Sequence, residues 1–413
     1  MQTAGLRCSG APFEAGVTHG RVLRRAVAVN VSAFWSECAG LGLDRASMFR
    51  QARLLEQDYS DALLQEIRGI ARGSGWPPAE LLAFNLLRGA VFPDECTVLF
   101  AMGDATANGT VLFVKNSDKI GSASMTGPGF FGHKEINILL VLRAEDGPAI
   151  VGVAAAGSTG LKMGVSEAGI AVGANIARTV ELSQRKVDTT QMRALDRTQL
   201  AREGLQKTTA LEAASYTAAR MAERPTATPG NLEFVDGRIG AIVEGSYDRV
   251  ALQVVKSGIA SRANSFVVMR DLNEPSDVSS YCRYVRSQEL LRSHHGRLTP
   301  DLLRRFSSDH ANGPGPNSIC RHGVHFTEET SQSSMVVEID PQRARETRFW
   351  LALGKPCHAW RNPEGFLSGR MDRLETFPAG FLNGEVWKRF WTEDPHGAEH
   401  EPEEAVREAS SQR

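Results

Sequence analysis

The chain is 413 residues long, 42% hydrophobic and 23% charged, with a formal net charge of −1, the profile of a globular protein with a sizeable core. Near-neutral charge leaves no electrostatic footprint for nucleic acid or an anionic membrane. No apolar run approaches the ~20 residues of a membrane-spanning helix, Met1 to Gly10 carries no signal-like pattern, and six cysteines (8, 38, 96, 282, 320, 357) are too scattered for a secreted disulfide framework, so the expectation is a cytoplasmic protein with reduced thiols.

Residues 12–90 read mostly as helix. In Ser60–Gly73 the apolar residues Leu63, Leu64, Ile67, Ile70 and Ala71 share one face at helical spacing, with Ser60 as a cap and Gly73 and Gly75 as stop signals. Pro77-Pro78 opens a further helix to Leu87. The pattern turns to strand at Cys96. Cys96–Met102 and Thr110–Lys115 flank a turn containing Asn108-Gly109. Ile136–Arg143 with Ala149–Ala155, and Lys162–Val165 with Gly169–Asn175, form two more hairpins. Helical spacing returns at Gln191–Gln206 and Ala210–Ala222. Strand patterns follow at Asn231–Val235, Ala241–Val243, Val250–Val255 and Ser265–Met269, then helices at Tyr281–Ser293 and Pro300–Ser307, then strands at Ser334–Ile339 and Thr347–Leu353. Nearly continuous apolar strands are those of sheets covered on both faces, and the order of elements argues for an α+β fold of stacked antiparallel sheets sandwiched by helices. The tail 393–413, with seven acids and no apolar run, reads as disordered.

Cys96 heads its own strand. A free thiol is a weak nucleophile at its ordinary pKa of ~8.5. An α-amino group titrates near ~7.7–8.0 and is a good general base at neutral pH. A cysteine made N-terminal by cleavage carries both groups. Ser117 and Asp118, one hairpin later, are the candidate supports for them, although Asp118 also reads as a turn residue past a strand end. Asn264 offers an amide for an oxyanion or an Asx-turn. Arg321, in Asn317-Ser318-Ile319-Cys320-Arg321-His322, offers a guanidinium for a carboxylate or a plain surface charge. Cys320, His322, His325, Cys357 and His358 carry metal-ligand chemistry without finger or ribbon spacing, so no metal and no cofactor is assigned. A metal-dependent enzyme stands as the rival reading from another class.

These blocks, in this order, resemble the acyl-coenzyme A:6-aminopenicillanic acid acyltransferase family (peptidase C45 type) of N-terminal nucleophile (Ntn) hydrolases. The likeness runs from about Pro12 to about Cys357. It is strongest at Cys96-Thr97, Asn116-Ser117-Asp118, Gly164–Gly169, Asn264, Ser318-Ile319-Cys320-Arg321 and Gly354-Lys355-Pro356-Cys357. The resemblance implies an αββα four-layer sandwich and self-cleavage between Glu95 and Cys96. It makes residues 1–95 a helical pro-segment, 96–392 the catalytic domain, and the two processed pieces lasting partners. It implies Cys96 as nucleophile, Asp118 as support for its amine, Asn264 as oxyanion donor, Ser318 and Arg321 near the centre, and Lys115 where related bile-salt hydrolases carry an arginine. The substrate implied is a small amide or acyl compound, acyl-coenzyme A among them, with hydrolysis of an amide bond favoured over acyl transfer to an amine. Glu95 departs from the glycine usual before the nucleophile, which leaves an inactive relative as a further alternative.

Overall fold

The computed structural model describes residues 5–92, 95–120, 135–145, 147–184, 194–323, 329–363 and 365–376. The first strand, β1 (Gly5–Gly10), precedes five helices, α1 (Pro12–Val22), α2 (Arg24–Gly40), α3 (Arg45–Leu55), α4 (Asp61–Ser74) and α5 (Pro78–Val91). Six strands follow: β2 (Glu95–Met102), β3 (Val111–Ile120), β4 (Asn137–Ala144), β5 (Ile150–Ala155), β6 (Met163–Ser166) and β7 (Ala171–Ile176). Next come α6 (Val180–Gln184), α7 (Arg197–Gly204) and α8 (Ala210–Glu223), then β8 (Gly230–Val235), β9 (Gly240–Gly245), β10 (Val250–Val255) and β11 (Gly258–Arg262). The chain continues through α9 (Val278–Ser293), α10 (Pro300–Ser307), β12 (Glu329–Ile339), β13 (Arg348–Leu353), α11 (Pro356–Ala359) and β14 (Phe366–Arg370).

The strands form an eight-stranded sheet, β1-β4-β5-β6-β7-β8-β9-β10, and a six-stranded sheet, β11-β2-β3-β12-β13-β14. Only β1 with β4 is a parallel pair among the described ladders. Three apolar cores fix the layers. Val98, Phe100 and Phe113 of the smaller sheet meet Leu139, Val151 and Val165 of the larger one. Leu140, Ile150 and Phe234 face α1–α5, α7 and α8. Leu99, Leu112 and Val114 face Leu291 of α9 and Leu303 and Phe306 of α10. Most strand residues alternate between two dry faces, so the sequence reads as unbroken apolar runs. The result is the αββα sandwich expected from the sequence.

Several expected elements recur with shifted ends, and α10 spans Pro300–Ser307 as read. Ser60 caps α4 by accepting the Leu63 amide proton at 3.3 Å, and Gly75 ends it in the left-handed region at φ 82°. Four glycines seat α4 on α1. A Cβ added to Gly16 would lie 2.1 Å from the Glu66 carbonyl oxygen, and one on Gly69 2.1 Å from that of Phe13. Gly20 and Gly73 are as tight one turn later, so the two backbones touch along the whole crossing. Gly73, read as a stop signal, thus lies inside the helix and serves its packing.

Four further expectations need correction. Ser265–Met269 is not a strand: the amides of Val267, Val268 and Met269 wrap the Glu244 carboxylate at 2.8–3.1 Å, which takes the backbone donors a ladder would need. The short strands β1, β11 and β14 were not read, since few residues carry each pattern. The helix expected over 191–206 begins at Arg197, where Asp196 caps it by accepting the Thr198 amide proton at 2.7 Å; residues 191–193 lie outside the described residues. Asp118 is not a turn residue, because β3 runs on to Ile120. The tail 393–413 and His325 also fall outside the described residues. The described residues of 1–95 join the same fold, adding β1 to the larger sheet and helices to the layer that covers it.

Candidate active site

The middle of the smaller sheet carries the site. In β2, period-two alternation points Cys96, Val98, Phe100 and Met102 between the sheets, and Glu95, Thr97, Leu99 and Ala101 towards the helices. Cys96 pairs with Ser117 of β3, and Glu95 with Asp118. The nucleophile candidate and Asp118 therefore face opposite sides of one sheet, while Lys115 and Ser117 share the face of the thiol. A register shift in β12 between Ser331 and Ser333 bends the ladder opposite Asp118 and Ser117, a common device beside sites.

On the inner face the Cys96 thiol donates to the Ala174 carbonyl at 3.4 Å. Lys115 Nζ donates to the same oxygen at 2.8 Å and to the Lys162 carbonyl at 2.5 Å. One carbonyl oxygen thus accepts from both the Cys96 thiol and the buried Lys115 side chain, which places the two groups side by side. The Cys96 amide donates to Asn264 Oδ1 at 3.1 Å, and Asn264 Nδ2 donates to the Ile176 carbonyl at 2.9 Å. Asn264 hence meets the Cys96 amide as an acceptor, while its NH2 group donates to the Ile176 carbonyl. Asn175, one residue past Ala174, is fully buried with its Oδ1 unbonded. Glu233 of β8 lies opposite Gly173 in the same layer, both carboxyl oxygens lacking a hydrogen bond. Burial pushes its carboxyl up to about 8, against the pull of Arg262 and Lys115.

On the outer face Glu95 is gripped by Arg321 and Arg178, with Arg283 Nη2 at 3.7 Å. Burial alone would raise this carboxyl; Arg321, Arg178 and Arg283 reverse that and hold it at about 2. Arg283, fully buried, also donates to the Cys96 carbonyl at 2.7 Å, to Thr97 Oγ1 at 2.9 Å and to Asn264 Oδ1 at 2.7 Å. Asp118 accepts from the Ser331 hydroxyl at 2.6 Å and lies 3.9 Å from Arg321 Nη1. Its burial raises its carboxyl further than the arginines and Ser331 lower it. Glu329 completes the cluster at 3.0 Å from Arg321 Nη2, raised by burial and by Glu95.

Of the residues singled out in the sequence, Lys115, Ser117 and Asn264 come together around Cys96. Asp118 and Arg321 meet Glu95 one layer out. Ser318 serves the fold, donating to the carbonyls of Gly315 and Cys320 at 3.0 and 2.9 Å. Asn116 clamps the outer helix layer, donating to the carbonyls of Ser307 and Ile319 at 2.8 and 2.9 Å. Sequence reading missed Arg178, Arg283, Asn175 and Glu233. None has a local motif. A charged residue inside the apolar run Asn231–Val235 was the one available hint, since an unpaired acid there must be buried. Cys320, His322 and Cys357 also meet, with His310, on the far side of Arg321.

No protein-family model matches the chain, and no curated protein matches it. Solved structures do resemble it, at low identity. Penicillin V acylase from Agrobacterium tumefaciens is 13% identical with a TM-score of 0.41, over 68% of this chain and 87% of that one. The Caenorhabditis elegans ortholog of N-acylethanolamine-hydrolyzing acid amidase is 13% identical with a TM-score of 0.38, over 58% and 92%. A mutant of the conjugated bile acid hydrolase from Clostridium perfringens is 11% identical with a TM-score of 0.41, over 67% and 93%. Among the described residues no single helix is long and apolar enough to cross a membrane.

Proposed function

We propose that the protein is an autoprocessing cysteine amidohydrolase of the Ntn type. The observation that carries this reading is Cys96 itself: a buried thiol at the head of a central strand, sharing a carbonyl with the Lys115 ammonium, its own amide nitrogen held by Asn264. In self-cleavage Sγ attacks the Glu95 carbonyl carbon. The Glu95–Cys96 C–N bond breaks, the Cys96 nitrogen takes the thiol proton, and water opens the thioester to a Glu95 carboxylate. The freed amine then acts as base in turnover. It takes the thiol proton as Sγ attacks a substrate amide, hands it to the departing amine, and activates water against the thioester. Lys115 stabilises the thiolate. Asn264 and Arg283 hold the new amine and the Cys96 carbonyl in register. An added amine can replace water at the last step, which makes acyl transfer the variant of the same chemistry.

Intact-mass analysis tests this. Wild-type protein should appear as fragments of about 10 and about 35 kDa, cut from 44.9 kDa, and Cys96→Ala as one uncut chain. Full amidase activity from an uncut wild type would remove the amine from the mechanism.

Substrate class follows from the same atoms. In self-cleavage Glu95 is the acyl group, and its side chain rests on Arg178, Arg283 and Arg321. When it leaves, the three guanidiniums lose the carboxylate they share. We propose that the preferred acyl group carries an anionic end that replaces the Glu95 carboxylate. An amide of a dicarboxylic acid should be cleaved at least about 10-fold faster than its equally long neutral ester, the worth of one charge-assisted hydrogen bond. Equal rates, or a preference for the ester, would contradict the anionic pocket.

A further inference from the structure

Behind Arg321, four side chains converge that the hydrolytic site does not use. His310 follows α10, Cys320 and His322 flank Arg321 in the loop before β12, and Cys357 opens α11. One potential ligand atom from each lies within 4.8 Å of all the others. His322 Nε2 is 3.2 Å from Cys357 Sγ and 3.6 Å from Cys320 Sγ. The His310 and His322 rings meet at 4.8 Å between centroids. Both cysteines are buried, both histidines half-buried, and His310 Nε2 is buried with no hydrogen bond. All six cysteines, these two included, are free thiols.

We infer that this cluster is a Cys2His2 site for a transition metal ion, zinc above all. Tetrahedral zinc, with Zn–S near ~2.3 Å and Zn–N near ~2.0–2.1 Å, needs ligand atoms about 3.4–3.8 Å apart. The two sulfur–nitrogen separations, 3.2 and 3.6 Å, lie just below and within that span. Two thiolates cancel the charge of a divalent ion, which suits a largely buried place. Binding would release the two thiol protons and leave both imidazoles neutral. Sulfur and imidazole together select zinc over magnesium or calcium. Four protein ligands leave no open position, so the site is structural and not a second catalytic centre. This turns the rival metal reading of the sequence into a support for the cysteine site.

The surroundings are built to hold such an ion. The Cys320 amide donates to the Asp309 carbonyl at 3.1 Å, which ties the His310 and Cys320 segments together. The Asp309 carboxylate in turn accepts from Arg286 at 2.8 and 3.1 Å. Cys320 and His322 turn to the cluster while Arg321 between them turns to Glu95 and Glu329. A bound ion would therefore fix Arg321 from behind, making it a metal-positioned residue of the anion-binding cluster.

The test is metal analysis of full-length protein made in zinc-supplemented medium and purified under reducing conditions. One zinc per chain is expected, with Cys357→Ser and Cys320→Ser each losing most of it. Zinc-stripped wild type titrated with cobalt(II) should show the intense visible bands of tetrahedral cobalt and a thiolate-to-cobalt charge-transfer band, saturating at one equivalent. The cobalt spectrum needs no variant to fold and no activity, so it stands apart from the fate of the hydrolase reading. A wild type that binds neither metal, full zinc in the Cys320→Ser/Cys357→Ser double variant, or a Cys320–Cys357 disulfide in zinc-replete protein would each overturn the site.

Discussion

Glu233 shows how a single buried group ties the layer beside Cys96 to pH. Its unfolded carboxyl titrates near 4.5 and its folded one near about 8, because burial disfavours the charge. A raised carboxyl contributes stability that is complete below the unfolded value. That contribution falls as pH climbs from 4.5 and is gone once pH has passed about 8. Relative to Glu233→Gln, which cannot ionise, the wild type should therefore lose urea stability across this window, so the difference between the two proteins isolates Glu233 from groups such as His19 and Glu135 that titrate in the opposite sense. Chemical denaturation at several pH values between about 5 and about 9 reads this directly. Identical slopes for the two proteins would mean that Glu233 is ionised and paired in the folded state at neutral pH, contrary to its unbonded oxygens. Lys115, the neighbour of Cys96 at the Ala174 carbonyl, is with Arg262 one of the cations that pull on this carboxyl, so ionisation of Glu233 changes the charge balance beside the thiol.

At the scale of elements, the α1–α4 crossing is the sharpest dependence of structure on particular residues. Gly16 and Gly20 meet Gly69 and Gly73 with no room for a methyl group. Gly69→Ala should therefore cost at least about 1–3 kcal/mol through overpacking. Gly40→Ala, at an open helix end with nothing within 4 Å, should be neutral or gain up to about 1 kcal/mol. Thermal or urea melts of the pair check this, and equal effects would deny the close crossing. The same crossing shows what a sequence conceals. Ser60, Gly75 and the Leu63–Ala71 stripe announce α4 by local rules, as Pro300 and Thr299 announce α10. Cys96, Lys115 and Asn264 were legible as candidates because strand pattern and block order placed them. The glycine seat, the Glu244-wrapped loop and Arg283 were not. Each depends on a partner more than a dozen residues away in sequence, and no local period encodes that partner. Asp118 was legible as a residue but not as a position: β3 runs on to Ile120, and its pleat turns the carboxylate to the outer face.

At the scale of the whole molecule, processing before Cys96 would divide a chain whose two parts share one fold. The piece 1–95 supplies β1, paired along its length with β4. Its buried polar groups are completed by the other piece. Asn30 Nδ2 donates to the carbonyls of Ile136 and Ala156 at 3.0 and 2.8 Å. Asn85 Nδ2 donates to the Gly157 carbonyl at 2.9 Å, and Gly157 N–H donates to His19 Nε2 at 2.9 Å. Arg88 of α5 grips Glu135, which Lys119 and Lys162 also hold at 3.1 and 2.7 Å. Separation would give up each of these hydrogen bonds, worth about 0.5–1.5 kcal/mol apiece net of hydration, so the fragments should co-elute in size exclusion near neutral pH. Acid should part them. Burial alone would raise Glu135, but Arg88, Lys119 and Lys162 outweigh it and hold the carboxyl well below its ordinary range. Burial also pushes His19 down to about 4, with Arg202 adding to the effect. A depressed carboxyl contributes above its unfolded value near 4.5 and is lost as pH falls below it. A buried neutral histidine contributes above about 6.5 and is lost as pH falls towards 4. Both losses run in the same direction, so the processed pair should weaken from about pH 6 downwards and come apart on acidification. Co-elution that persists unchanged to about pH 2, or separation already at about pH 7, would show that the buried polar seam between the fragments does not hold them together.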